Sequence, residues 1–178
     1  LSLNPSKWSA ETVYMAHLAL TDKQAKRFLF AEKLNRSALG LAGADDKRYH
    51  VWNEDWLAER LGTVHHLSAE TAGIKLNLVV TPLKPPVLHG VAGDGLSQKG
   101  EGYGHASYYY SLTRLHSEGV LQTAEGVVDV EGISWMDHEF GSSQLTPSQV
   151  GWDWFSVQLD NHVELMLYML RHQNGSPD

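Results

Sequence analysis

Apolar and polar positions alternate through most of the chain, at the period of two that a half-buried strand requires. Residues 74–80 (IKLNLVV) are the cleanest case: Ile74, Leu76 and Leu78 face one way, Lys75 and Asn77 the other. Residues 12–20 (TVYMAHLAL), 62–70 (GTVHHLSAE), 105–115 (HASYYYSLTRL), 120–130 and 162–171 (HVELMLYMLR) are β-rich in the same way. Residues 26–34 (KRFLFAEKL) are read as strand, although Ala, Glu and Lys also suit a helix. In residues 50–57 (HVWNEDWL), Trp52 and Trp56 stand four apart, a spacing that serves one helix face or one strand face. The strand-like flanks tip that segment to strand. Turns are predicted at Thr21-Asp22-Lys23, Thr71-Ala72-Gly73, Ser117-Glu118-Gly119 and Glu125-Gly126, and Pro82, Pro85 and Pro86 end a strand. Residues 35–47 read as a long loop, and the glycine-rich residues 90–104 as a loop over a cavity mouth. Asn174-Gly175 is a strong hairpin signal that calls for a following strand. Short strands at this spacing, with no βαβ alternation, predict an antiparallel sandwich or barrel.

The richest stretch is residues 132–159, GISWMDHEFGSSQLTPSQVGWDWFSVQL. It reads as two strand ends, 133–138 and 152–157, joined by a loop over 141–151. If they pair as neighbours, Asp137, His138 and Asp153 lie near one loop. Asp137 and His138 are adjacent, so on a regular strand they face opposite sides; Gly132 and Gly141 would allow a bulge. The pair serves either as a catalytic or ligand-binding element or as a turn cap with a backbone-bonded histidine. Asp153 faces opposite to Trp152 and Trp154. It lies outside if the tryptophans line a ligand cavity, and is a buried acid with a raised pKa if they do not. In the Tyr108-Tyr109-Tyr110 run, Tyr109 is either a rim residue or part of a ligand wall with a hydroxyl donor. Trp135, and Tyr14 in the first strand, complete the candidate ligand-binding aromatics.

Composition narrows the classes. With 14 Lys and Arg against 21 Asp and Glu, the net charge is −7, which argues against nucleic acid or an anionic membrane surface as the main partner. No apolar run is long enough for a transmembrane helix, and Leu1-Ser2-Leu3-Asn4-Pro5 has no signal-peptide pattern. Absence of cysteine removes disulfides and thiolate chemistry. GDGLSQKGEGYGH lacks the Gly-Lys-Ser/Thr ending of a phosphate loop, and its Lys99 is expected to be solvated. Ten histidines carry no HExxH spacing, and His65-His66 would point to opposite strand faces, so no metal site and no cofactor are expected. There is no Gly-x-Ser-x-Gly elbow and no Ser–His–acid arrangement visible for a hydrolase.

YMAHLALTD, VWNEDW, TPLKPPVLHG, Tyr108-Tyr109-Tyr110-Ser111-Leu112, SWMDHEFGSSQL and GWDWFSVQLDN together resemble the AttH-like family, also labelled predicted secreted hydrolases and related to the hydroxyneurosporene synthase (carotenoid 1,2-hydratase) family. The likeness runs from Trp8 to Arg171. It implies an all-β, antiparallel lipocalin-like β-barrel, with residues 1–178 as a single such domain, the first of a tandem whose second lipocalin-like domain follows C-terminally. That agrees with the hanging Asn174-Gly175 turn. Two departures stand out. Family members often carry Glu-Trp-Trp-Tyr near the start, where this chain has Glu11-Thr12-Val13-Tyr14; the hydratase branch tends to have Asn-Trp after the motif histidine, where Glu139-Phe140 stand here. The resemblance implies a small apolar, lipid- or isoprenoid-like ligand and a periplasmic or secreted location. It implies hydration of a C=C bond with Asp137 or Asp153 as acid, His138 positioning water, and Trp135, Trp152 and Tyr109 facing the cation. Trp154 and Tyr14 belong to the same expected wall. The alternatives are a non-enzymatic ligand-binding module and, third, a secreted hydrolase.

Overall fold

The computed structural model describes residues 12–102, 104–142 and 145–177. Trp8 and Glu11, which carry part of the resemblance, lie outside the described residues, as do Tyr103 of the glycine-rich segment and Ser143 and Gln144 of the 141–151 loop. The fold is all-β and antiparallel, of the lipocalin-like β-barrel class. In chain order the strands are β1 (Val13–Asp22), β2 (Arg27–Arg36), β3 (Ala42–Ala44), β4 (His50–Asn53), β5 (Trp56–Leu61), β6 (Val64–Thr71), β7 (Ile74–Pro82), β8 (Val87–Leu88), β9 (Leu96–Gln98), β10 (Ala106–Thr123), β11 (Gly126–Phe140), β12 (Gln149–Gln158) and β13 (Glu164–His172). They form two compact units: residues 12–81 with 117–132, and residues 82–116 with 133–177. Among the described residues, no helix is long and apolar enough to cross a membrane.

In the first unit β1 and β2 form a hairpin in unbroken register, from Val13 opposite Arg36 to Asp22 opposite Arg27. Strict alternation along β1 turns Tyr14, Ala16, Leu18 and Leu20 inward. Strands β3 to β7 make an antiparallel meander, each paired with the next. Trp56, Ile74 and Val80 are buried there, with Ala42. In the second unit β8 and β9 pair with β10, and β12 pairs with β13. Tyr109, Leu112, Leu115 and Leu170 are its buried apolar residues.

Several sequence expectations change. Ser117-Glu118-Gly119 is not a turn, since β10 runs through it for 18 residues. Glycine is needed there for close approach: a Cβ at Gly119 would stand 2.0 Å from the Asn77 carbonyl oxygen of β7. Residues 50–57 are not one strand. Glu54, with φ 56°, turns the chain between β4 and β5, so Trp56 stands opposite Asn53 and Trp52 opposite Leu57. The 35–47 loop contains the end of β2 and all of β3. The glycine-rich segment contributes β9 to the sheet and buries Ser97 and Lys99. Strands β11 and β12 are not neighbours, because β11 pairs with β10 and β12 with β13. The Asn174-Gly175 turn does close: the Gly175 N–H donates to the His172 carbonyl, and Arg171 bridges Pro177.

Candidate functional site

The second unit gathers most of the candidate residues, and strand periodicity decides which ones meet. On one face of the β10–β11 pair stand Ser107, Tyr109 and Ser111, with Asp137 and Glu139 across from them. Ser111 Oγ donates to Asp137 Oδ1 at 2.5 Å, and Ser107 Oγ to Glu139 Oε1 at 2.5 Å. On the other face Tyr108 stacks with Phe140 (5.5 Å between centroids) and Tyr110 with His138 (5.1 Å). Asp137 and His138 therefore part company, as alternation on an unbroken strand requires. His138 belongs to an aromatic ladder, not to the acid's surroundings.

Around Asp137 the polar groups form one network. Trp135 Nε1 donates to Asp137 Oδ1 at 2.8 Å, and the Trp135 ring meets that of Trp154 edge-on at 6.1 Å. Trp154 Nε1 donates to Tyr109 Oη at 3.2 Å. His89 packs on the Tyr109 ring at 4.2 Å and places Nε2 2.7 Å from Ser111 Oγ. Serine, histidine and acid thus do come together, but in the order Asp137–Ser111–His89. Ser111 is fully buried (0% exposed), and its proton points at the carboxylate. A hydrolytic serine needs the histidine to accept that proton and an oxygen open to substrate. Here the serine links an acid to an imidazole.

A second cluster adjoins the first. Lys99 is 7% exposed; its Nζ lies 2.8 Å from Glu139 Oε1 and 2.9 Å from Ser97 Oγ. The ammonium stands over the rings of Tyr168 (4.4 Å) and Tyr109 (5.1 Å), so it is an enclosed cation in an aromatic box rather than a solvated lysine. Lys99, Tyr109, Glu139, Trp152, Trp154 and Tyr168 surround a cavity of about 40 Å³. Trp152 is 58% exposed at its edge. Side chains fix the β12–β13 hairpin over this site. Gln158 Nε2 donates to the carbonyls of Thr113 (2.8 Å) and Ser134 (3.0 Å), and Arg114 Nε donates to Glu164 at 2.5 Å while Lys84 also pairs with Glu164. Gln149 Nε2 donates to the Lys99 carbonyl at 2.7 Å.

Burial sets the proton affinities. Desolvation pushes the Tyr109 hydroxyl up to about 12, helped by the nearby Asp137 charge, so it stays a neutral donor. Desolvation also lowers His89, with Lys99 acting the same way and Asp137 and Glu139 opposing.

Asp153 is not brought to this cluster. It lies on the opposite face of β12 from Trp152 and Trp154, 41% exposed, and pairs with Arg171 Nε at 3.3 Å. It is not a buried acid. Tyr14 sits in the first unit, where it lines a separate apolar cavity of about 270 Å³ with Leu18, Trp52, Trp56, Leu67 and Leu76. Among the described residues, no three of His, Asp and Glu group as a metal site. His89, Ser111 and Glu139 escaped sequence reading as site residues, and Lys99 was expected to be solvated, whereas it meets the Glu139 carboxylate. The available signal was Ser111 two positions after Tyr109, which places both on one strand face.

A family model described as AttH-like matches residues 2–178. The crystal structure of an AttH protein from Nitrosomonas europaea superposes with a TM-score of 0.88 at 32% identity, covering 98% of this chain and 54% of that one. Kievitone hydratase from Nectria haematococca superposes with a TM-score of 0.61 at 14% identity, covering 93% of this chain and 54% of that one, a likeness of fold. The chain thus spans about half the length of both structural relatives. No curated protein matches the sequence.

Proposed function

The chain belongs to the AttH-like family, and on that footing we propose that its second unit binds the branched end of a lipid- or isoprenoid-like chain and hydrates its C=C bond. The observation that carries this is the Asp137 carboxylate set among Trp135, Trp154 and Tyr109 and wired through buried Ser111 to His89. An apolar ligand over Asp137 shuts bulk water away from its carboxyl. Asp137 takes up its proton from water before the ligand closes over it, while Ser111, hydrogen-bonded to the neutral His89, holds Oδ1 in place. Asp137 then protonates the less substituted alkene carbon. The π bond supplies the electron pair, and the tertiary cation faces the Trp135 and Trp154 indoles. Water adds to the cation, and its surplus proton returns to the Asp137 carboxylate, so alkene plus water gives a tertiary alcohol. The 40 Å³ cavity takes one methyl-sized branch, with the rest of the chain along Trp152 and Tyr168. Hydratase chemistry in a relative of the same fold, kievitone hydratase, supports the reading.

Incubation of the protein with prenyl-ended polyenes in ¹⁸O-water tests it. One ¹⁸O in a tertiary alcohol, lost in Asp137→Asn and strongly reduced in Ser111→Ala, is expected. Equal turnover by Asp137→Asn would remove that acid from the mechanism. A non-enzymatic binding module is favoured instead if affinity drops in Trp152→Ala while no product forms with any polyene. A periplasmic or secreted location and a second lipocalin-like domain complete the proposal; cell fractionation of the native protein checks both.

A further inference from the structure

The first unit holds a cavity that the chemistry above does not use. We propose that it is a separate binding site for a small uncharged hydrocarbon of about ten heavy atoms. This does not rest on the hydratase reading. The cavity measures about 270 Å³, at the lower end of small-ligand sites and enough for about ten close-packed heavy atoms. Its described wall comes from β1 and from β4 to β7, all of one unit. The wall is apolar, and most of its polar atoms are already engaged. Trp52 Nε1 donates to the Gly40 carbonyl at 3.0 Å and Trp56 Nε1 to that of Glu70 at 2.8 Å. Asn53 Nδ2 donates to the carbonyls of Tyr14 and Lys33, and its Oδ1 accepts from Asn35. His17 pairs with Glu32 at 2.7 Å. Tyr14 and Ser68 leave at most a hydroxyl to be matched. No Asp, Glu, Lys or Arg is among the described lining residues, so a carboxylate drawn inside would meet no lysine or arginine partner in the wall. Chemistry therefore selects a terpene-like hydrocarbon or simple alcohol over an amphiphile.

Three alanines, Ala16, Ala58 and Ala69, line the cavity, and Ala58 provides the test. Limonene is titrated into the full chain while the indole N–H signals of Trp52 and Trp56 are followed by NMR, with decanoate as the charged counter-probe. Saturable shifts of both indoles by limonene and none by decanoate are expected. Ala58→Leu should weaken limonene by about tenfold or more, since it fills the space. Should Ala58→Leu fail to fold, Leu67→Ala decides: the enlarged cavity must then bind a fifteen-carbon hydrocarbon that the parent rejects. No saturable limonene shift, tighter binding of decanoate, or limonene lost in Trp152→Ala but kept in Ala58→Leu would overturn the proposal.

Discussion

Ser111→Ala is the change that most directly weighs the Asp137–Ser111–His89 link. Ser111 is fully buried and alanine fits its space, so no steric term complicates the result. Two hydrogen bonds disappear. The bond to half-buried His89 (2.7 Å) is a neutral one, worth about 1 kcal/mol net. The bond to Asp137 (2.5 Å) is charge-assisted, but Asp137 is exposed and water replaces much of it, so a discounted value of about 1 kcal/mol applies. The sum is about 2 kcal/mol, or roughly 4–8 °C in Tm for a chain of this size. Urea unfolding measures it. A double-mutant cycle with Asp137→Asn should return a coupling of about 1 kcal/mol, because the second change removes a partner that the first has already lost. A loss under about 0.5 kcal/mol with no coupling would refute the reasoning. Serine would then be a space-filling residue, and its role in holding the Asp137 carboxyl would fall.

Three further outcomes follow from the same structure. Gly119→Ala places a methyl 2.0 Å from a backbone carbonyl oxygen that cannot swing away, and should cost about 3 kcal/mol by urea unfolding. Because burial lowers His89, the unfolded chain takes up a proton below pH of about 6.5 that the folded chain refuses. Stability should therefore fall as pH drops through that value, and His89→Gln should flatten the fall, leaving the part due to His65, which burial also lowers. Glu164 runs the other way in origin: hydrogen bonds from Lys84 and Arg114 hold its carboxyl below the usual range. Its contribution is complete above about pH 4.3 and is lost as pH falls further, so Glu164→Gln should remove part of the acid limb in a pH-stability scan.

How much of this could be read in the residues divides along physical lines. Strand existence was legible because alternation in residues 12–20 and 74–80 needs only a period of two. The split of Asp137 from His138 follows from the same rule. Strand ends were not legible where tertiary contact overrides a local signal: Ser117-Glu118-Gly119 has turn composition, but the glycine serves the approach of β7. The helix-or-strand question at Trp52 and Trp56 had a third answer, a turn between them, since Glu54 adopts a left-handed conformation that its sequence does not announce. The link of His89 and Ser111 to the acid, and the enclosure of Lys99, were hidden because these residues come from separate strands and loops. Only pairing register brings 89, 111 and 137 together, and one sequence does not state a register.

That register has a consequence for how this protein tolerates change. Within the second unit, β10 and β11 present an acid-and-hydroxyl face and an aromatic face separated by a single residue of phase. Losing one residue from β11 ahead of Asp137 would exchange them, bringing His138 and Phe140 to Ser111 and Ser107 and turning Asp137 and Glu139 toward Leu112 and Tyr110. A conservative substitution edits one letter of the site, whereas a one-residue deletion transposes the whole text. Length polymorphism along this strand, not substitution, is therefore the steepest barrier around the site, and libraries built to retain it should vary side chains while holding the count of residues fixed.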